Sequence, residues 1–379
     1  MEQICKPDQC TGCSLCASQC PKSCITMKEG KLGHLYPSIN QAKCIDCKLC
    51  QRKCPSLHPV TRHYPLKGYA AWTKDDEDYK SSTSGAMASV FSSYIISQGG
   101  VVYGCAVLPN IKIAHIRVSD QKNLYKLKGS KYVQSSILDV LPQIKKDIKN
   151  GKKVLFIGTP CQVAAVKNMF RTTPDNLYLV DIICHGTPSN TFLKEYITKN
   201  KNIKEGEVTN IKFRTPDSFS LKVFNNNKKL YSSPNLWTDR YKDLYFNTFI
   251  DGFTYRLSCY KCPYAASQRI SDVTIGDFWG LGAYTPCNIP EHKYGVSAVL
   301  PITGKGMNLL NAVKDTINIY ERTPQEAIDG NDQLRHPKEM DWRIRIFQKY
   351  ATIKNISLLY PLLNFDKIAK YKLKRLLKK

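Results

Sequence analysis

The sequence has no apolar run near the roughly 18 residues that a membrane-spanning helix needs, so no span is expected. Its opening, MEQICKPDQC, lacks the basic-then-apolar pattern of a secretory leader. The GxGxxG fingerprint of an ordinary Rossmann dinucleotide site does not occur. Acidic residues are scarce: 31 Asp and Glu against 56 Lys and Arg leave a formal charge of +25. Cysteine, by contrast, is abundant, with 16 in 379 residues, ten of them before residue 55. Many thiols behind no leader point away from disulfides and towards metal ligation in a reducing compartment, so a cytoplasmic location is expected. The length suits two or three domains.

Residues 5–55 contain a repeat. Cys10, Cys13, Cys16 and Cys20 recur 34 residues later as Cys44, Cys47, Cys50 and Cys54, and each set ends in Cys-Pro. The spacing C-x2-C-x2-C-x3-C-P wraps three thiolates round one corner of a 4Fe-4S cubane and turns the fourth towards the other cluster. This assigns Cys10, Cys13, Cys16 and Cys54 to one cluster, and Cys44, Cys47, Cys50 and Cys20 to the second. The alternative, a pair of zinc sites, fits poorly, because zinc ribbons use separated CxxC pairs. Cys5 and Cys24 fall outside the motif and read as buried spectators. With every iron ligated by protein, two such clusters form an electron wire rather than a substrate site. Each cluster with its four thiolates adds about −2, so two reduce +25 to +21 and the chain stays basic. That surface suits an acidic electron carrier such as ferredoxin or flavodoxin, or anionic lipid. Nucleic acid is not expected, since no base-reading or stacking module is present.

Residues 56–68, with three prolines, read as a linker. From Gly68 the pattern becomes α/β. GYAAWT, VVYGCAVLP, KIAHIRVS, KKVLFIGTP, LYLVDIIC, DVTIGDFWG and GVSAVLPIT read as strands, and residues 208–232 as a hairpin with an Asn-rich tip. Helices are expected over SGAMASVFSSYIISQGG (opened by Ser84), SILDVLPQIKKDIKNG, CQVAAVKNMF and NTFLKEYITKN. The expected architecture is therefore an α+β ferredoxin-like domain over 1–60, then an α/β domain with a mixed sheet over 68–335. A basic tail follows over 336–379. In that tail Ile368, Leu373, Leu376 and Leu377 stand among lysines, either as a helix lying on anionic lipid or as a solvated arm.

Four later cysteines fall in three loops. Cys161 follows one strand, Cys184 ends another, and Cys259 and Cys262 form a CxxC. Strand C-termini are where open α/β sheets bind ligands, so these thiols could close a third four-thiolate site. The alternative is a zinc half-site beside two buried thiols. Cys105 and Cys287 read as structural. Ser82, Thr83, Ser84 and Gly85 place small and hydroxyl residues at a helix start, which suits either a pyrophosphate or a plain N-cap. Lys131, Tyr132 and Gln134 offer a cation, a ring and an amide in one loop, either for an isoalloxazine or for solvent. Gly158, Thr159 and Pro160 form a tight strand-to-helix turn. His185 has the pKa range of a proton donor, but equally suits a structural hydrogen bond. Asp277 could orient a cofactor or serve structure alone.

Through its PCQ turn, the strand-end Cys184 and the CxxC upstream of DVTIGDFWG, the chain resembles the coenzyme F-420 hydrogenase/dehydrogenase beta-subunit family with a ferredoxin-like extension. The resemblance spans residues 1 to about 330. It implies that Cys161, Cys184, Cys259 and Cys262 hold a third 4Fe-4S cluster beside FAD. It further implies electron flow between a ferredoxin-like donor, the clusters, FAD and an organic substrate, with direction open. Bacterial members accompany surface-polysaccharide genes, which makes a sugar or glycan precursor one expectation for that substrate. An electron-transfer subunit with no substrate of its own, docking onto a partner enzyme, is the rival expectation.

Overall fold

A computed structural model describes residues 3–215, 218–283 and 285–377. The 34-residue repeat is also a repeat of backbone shape. Gly12 and Asp46 take φ of 67° and 51°, and Ser14 and Lys48 take 61° and 57°. These left-handed turns lead into the matching short helices Leu15–Ser18 and Leu49–Arg52. Strands β1 (Ile25–Glu29) and β2 (Leu35–Ile39) join the two halves as an antiparallel pair. The linker is not free. His63 and Arg269 exchange backbone hydrogen bonds of 2.8 Å, and Arg62 Nη1 donates to Pro263 O at 2.6 Å, so residues 62–63 run along the Cys262 loop.

The main sheet contains β3 (Gly68–Thr73), β4 (Val101–Leu108), β5 (Lys112–Val118), β6 (Val154–Gly158) and β7 (Leu177–Ile182). A separate antiparallel sheet is built from β8 (Asn210–Lys212), β9 (Lys222–Asn225) and β10 (Lys228–Ser232). Strands β11 (Val273–Asp277), β12 (Ser297–Pro301) and β13 (Ile317–Arg322) complete the main sheet, in the order β13-β3-β12-β11-β7-β6-β4-β5. Strands β11, β7, β6 and β4 are mutually parallel, while the flanking pairs are antiparallel, which makes the sheet mixed.

Strand β6 shows why its apolar run is continuous. Val154 and Phe156 face the helices Leu141–Lys149 and Pro160–Met169, whereas Leu155 faces the helix Met87–Ser97. Both faces are covered, so both parities must be apolar. Leu15 of the ferredoxin repeat is fully buried in the first of these clusters.

Two segments differ from the sequence pattern. The helix expected to open at Ser84 begins at Met87, because Ser84 and Ala86 take φ of 56° and 63°. Ser84 caps nothing; its hydroxyl donates to Val296 O at 2.8 Å. Beyond residue 335, helices Trp342–Tyr350 and Ile356–Leu363 bury Phe347 and Tyr360 edge-on against Phe253, at 5.2 and 5.1 Å between ring centroids. Only the following helix, Phe365–Leu376, buries no residue.

Candidate cluster and cofactor sites

Two small cavities lie in the N-terminal domain. Cys10, Cys13, Cys16 and Cys54 line one, and Cys20, Cys44, Cys47 and Cys50 line the other. The fourth cysteine of each repeat is thus brought to the other repeat's three. Cys5 and Cys24 stand nearer than the motif suggests. The Cys5 thiol, donating towards Cys10 and Cys54, pulls each of those thiols down to about 6 against the opposing effect of burial. Cys24 Sγ lies 3.3 Å from Cys20 Sγ. Among the described residues, no three His, Cys, Asp or Glu side chains converge as a single metal ion requires.

Cys161, Cys184, Cys259 and Cys262 line one larger cavity of about 500 Å³. Each is positioned by a different constraint. Cys161 follows the N-cap Thr159 of the helix Pro160–Met169, where the Gln162 side chain accepts from Thr159 N–H at 3.0 Å and Thr159 Oγ1 lies 3.2 Å from the sulfur. Cys184 stands just past β7. Cys259 lies in the 3-10 turn Leu257–Lys261, with Cys262 directly after it. The loop beyond is tied to β7 by a fully buried ion pair, Arg269 Nη2 to Asp181 Oδ1 at 2.9 Å, with Arg269 Nη1 donating to Tyr264 O at 2.6 Å. Burial pushes Cys161 up to about 12 and Cys259 up to about 11, raises Cys262, and lifts Cys184 well above the thiol range. Proximity to one another raises Cys161, Cys184 and Cys259 further. Four buried thiols with their charges this close are a donor set that a polycationic centre fits.

A second cavity, about 390 Å³, adjoins the first. They share Ser135, Thr159, Gln162 and the run Cys184–Thr187 as a common wall. Gly186 has φ of 109°, and a Cβ there would meet the Tyr255 ring at 2.5 Å, so the wall is as thin as backbone allows. Ser82, Thr83, Ser84, Lys131, Tyr132, Thr159, His185 and Asp277 all line this second cavity, as does the start of the helix Met87–Ser97. Lys131 Nζ donates to Leu127 O and Lys128 O at 3.0 and 2.8 Å and has no carboxylate bonded to it among the described residues; burial lowers its pKa. Tyr132 stacks on Phe249 at 5.3 Å. His185 Nδ1 lies 2.7 Å from Tyr255 Oη, and burial lowers its pKa, favouring the neutral ring. Asp277 accepts from Arg214 Nη1 at 2.6 Å.

Two residues lie elsewhere. Gly85 is packed between β3 and β12, where a Cβ would sit 2.1 Å from Ala71 O, so glycine serves close backbone approach there. Gln134 points to the ferredoxin side: its Nε2 donates to Thr11 O at 2.9 Å and its Oε1 accepts from Arg256 Nη1 at 3.3 Å. Arg214, Trp237 and His115 also line the second cavity and carry no local motif. Arg256 lines the first; three residues ahead of the CxxC, it had a positional cue.

Residues 9–57 match the model of a 4Fe-4S dicluster domain, and residues 151–327 match that of the C terminus of the coenzyme F420 hydrogenase/dehydrogenase beta subunit. No curated protein matches. Among solved structures, a chain of the xenon-derivatised F420-reducing NiFe hydrogenase complex from Methanosarcina barkeri aligns at 17% identity with a TM-score of 0.48, covering 72% of this chain and 91% of its own. The chain belongs to the F420 hydrogenase/dehydrogenase beta-subunit family, with a 4Fe-4S dicluster domain in front. It is an iron–sulfur electron-transfer protein of the oxidoreductase class. Among the described residues no helix is long and apolar enough to cross a membrane.

Proposed function

We propose that the chain is an iron–sulfur flavoprotein oxidoreductase. In this reading Cys161, Cys184, Cys259 and Cys262 hold a third 4Fe-4S cluster, and the adjoining cavity holds FAD and an organic substrate, with a sugar or glycan precursor one candidate. The shared wall Cys184–Thr187 is the observation that supports it most directly, since it sets a four-thiolate site against a cofactor-sized cavity. Flavin supplies the exchange between single electrons and hydride. The chain's own groups suit that cofactor. Free N–H groups at the start of the helix Met87–Ser97 favour a pyrophosphate. The buried Lys131 ammonium favours an anionic or carbonyl edge, and His185 stands where a proton could pass to substrate. An acidic carrier such as ferredoxin or flavodoxin suits the basic surface as the outer partner.

Iron, sulfide and flavin content per chain is the decisive measurement. About twelve irons with one FAD is expected for three cubanes. About eight irons without flavin would overturn the reading and leave an electron-transfer subunit with no substrate site of its own.

The reading extends to location. The helix Phe365–Leu376 docks through Tyr371, whose hydroxyl donates to Thr238 O at 3.1 Å, and through Arg375, paired with Asp239 at 2.6 Å. On a 3.6-residue wheel, Phe365, Leu373 and Leu376 then face away, at 73%, 57% and 71% exposure. Lys372 borders them on one side, and Lys370 and Lys374 on the other. Apolar side chains between cations fit the headgroup boundary of an anionic bilayer. Co-sedimentation with phosphatidylglycerol vesicles is expected for the full chain and lost for a chain ending at Asn364; undiminished binding of the shorter chain would exclude this helix as the contact.

A further inference from the structure

Arg256 is one of the most deeply buried charged side chains in the molecule, at 1% exposure. Its Nε donates to Cys10 O at 2.6 Å, its Nη2 to Leu35 O at 2.6 Å, and its Nη1 to Gln134 Oε1 at 3.3 Å. Nη2 also lies 3.6 Å from Cys10 Sγ, and the guanidinium sits 4.3 Å from the Tyr36 ring centroid. Each partner is neutral or a thiol, and no carboxylate pairs with Arg256 among the described residues. A buried cation without a counter-charge is costly, so one is required.

Gly12 shows that the placement is built. It has φ of +67°, and a Cβ there would stand 2.6 Å from Arg256 Nη1, so any larger residue would fill the guanidinium's seat. Asp46, its counterpart 34 residues on, carries a side chain. The second cavity of the domain has only the exposed Lys22 and Lys48 as its lining cations. The two halves of the repeat therefore differ electrostatically: one has a buried cation against a ligand sulfur, the other does not.

We propose that Arg256 is the counter-ion of the cluster held by Cys10, Cys13, Cys16 and Cys54, and that it raises this cluster's reduction potential above that of its neighbour. A ligated cubane carries net negative charge, and reduction adds one more electron. A fixed cation at a ligand sulfur, screened from water, stabilises the reduced form more than the oxidised form. A hydrogen bond to that sulfur acts in the same direction. An electron on the Cys20/Cys44/Cys47/Cys50 cluster would then pass to the Cys10 cluster, oxidising the first and reducing the second. The backbone of Arg256 also leads into Cys259: Cys259 N–H donates to Arg256 O at 2.9 Å. The positioning residue that sets the potential thus also ties the ferredoxin domain to the later cysteine set.

The test is a potentiometric titration followed by electron paramagnetic resonance, on the full chain and its Arg256→Gln and Arg256→Lys variants. Glutamine keeps donors for Cys10 O and Leu35 O without charge; lysine keeps the charge. With full iron, Arg256→Gln should lower one midpoint, that of the cluster lost in Cys13→Ser, leave the others in place, and be partly restored by lysine. Loss of that cluster in Arg256→Gln but not in Arg256→Lys supports the counter-ion role equally. Unchanged midpoints in a fully loaded Arg256→Gln protein, or equal cluster loss in both variants, would overturn it.

Discussion

At the residue scale, the buried ion pair between Arg269 and Asp181 decides whether the Cys262 loop keeps its place. Asp181 also accepts from Thr274 Oγ1 at 2.6 Å, and Arg269 Nε donates to the same hydroxyl at 3.2 Å. Arg269→Met would leave a carboxylate buried in the sheet with its main partner gone, at a cost of about 3–5 kcal/mol. A chemical-denaturation midpoint measured beside that of the parent should show this loss. The double variant Arg269→Met, Asp181→Leu should recover part of it, because no charge is then stranded. A double variant no better than the single would mean that packing, not charge, sets the penalty. Gln134 and Gly85 make the complementary point. Both look like cofactor contacts in the chain's linear order, yet Gln134 turns to Thr11 and Gly85 is consumed by the approach of Ala71.

At the element scale, the ferredoxin repeat exchanges its fourth cysteines across two cavities, and this makes an unusual mutational pattern expected. Cys54→Ser, although in the second repeat, should empty the site built on the first, with a loss of about four irons per chain. Adding Cys13→Ser should cost nothing further, whereas adding Cys44→Ser should remove about eight irons in all. Iron content and the visible spectrum distinguish these outcomes; the reverse pattern would assign Cys54 to its own repeat. The strands were legible because period and apolar content follow burial directly, as β6 shows with helices on both faces. The start of the helix Met87–Ser97 was not, because left-handed Ser84 and Ala86 are imposed by contacts with β11, β12 and their flanks rather than by local preference. The segment after residue 335 reads as a basic tail, but Phe347 and Tyr360 find their partner in Phe253, about a hundred residues away in sequence.

At the scale of the whole molecule, charge and topology divide the work. An excess of 25 positive charges, only partly offset by clusters, should steer an acidic carrier to the surface. The second-order rate of reduction by such a carrier is expected to fall about tenfold or more between low and high salt, as stopped-flow absorbance would show. A salt-independent rate would point to a neutral docking face. What the linear sequence determined by itself is whatever depends on neighbours a few residues apart. That covers the two CxxCxxCxxxCP sets, the strand periods, and the placement of Cys161 and Cys184 beyond strand ends. Only the tertiary structure decided that four cysteines spread over a hundred residues line one cavity, that Cys184–Thr187 forms a wall shared with a second, and that Arg256 is buried against Cys10. Those depend on the parallel order β11-β7-β6-β4 and on the docking of the ferredoxin repeat against it. Long-range packing energy fixes such contacts, and no local spacing records it.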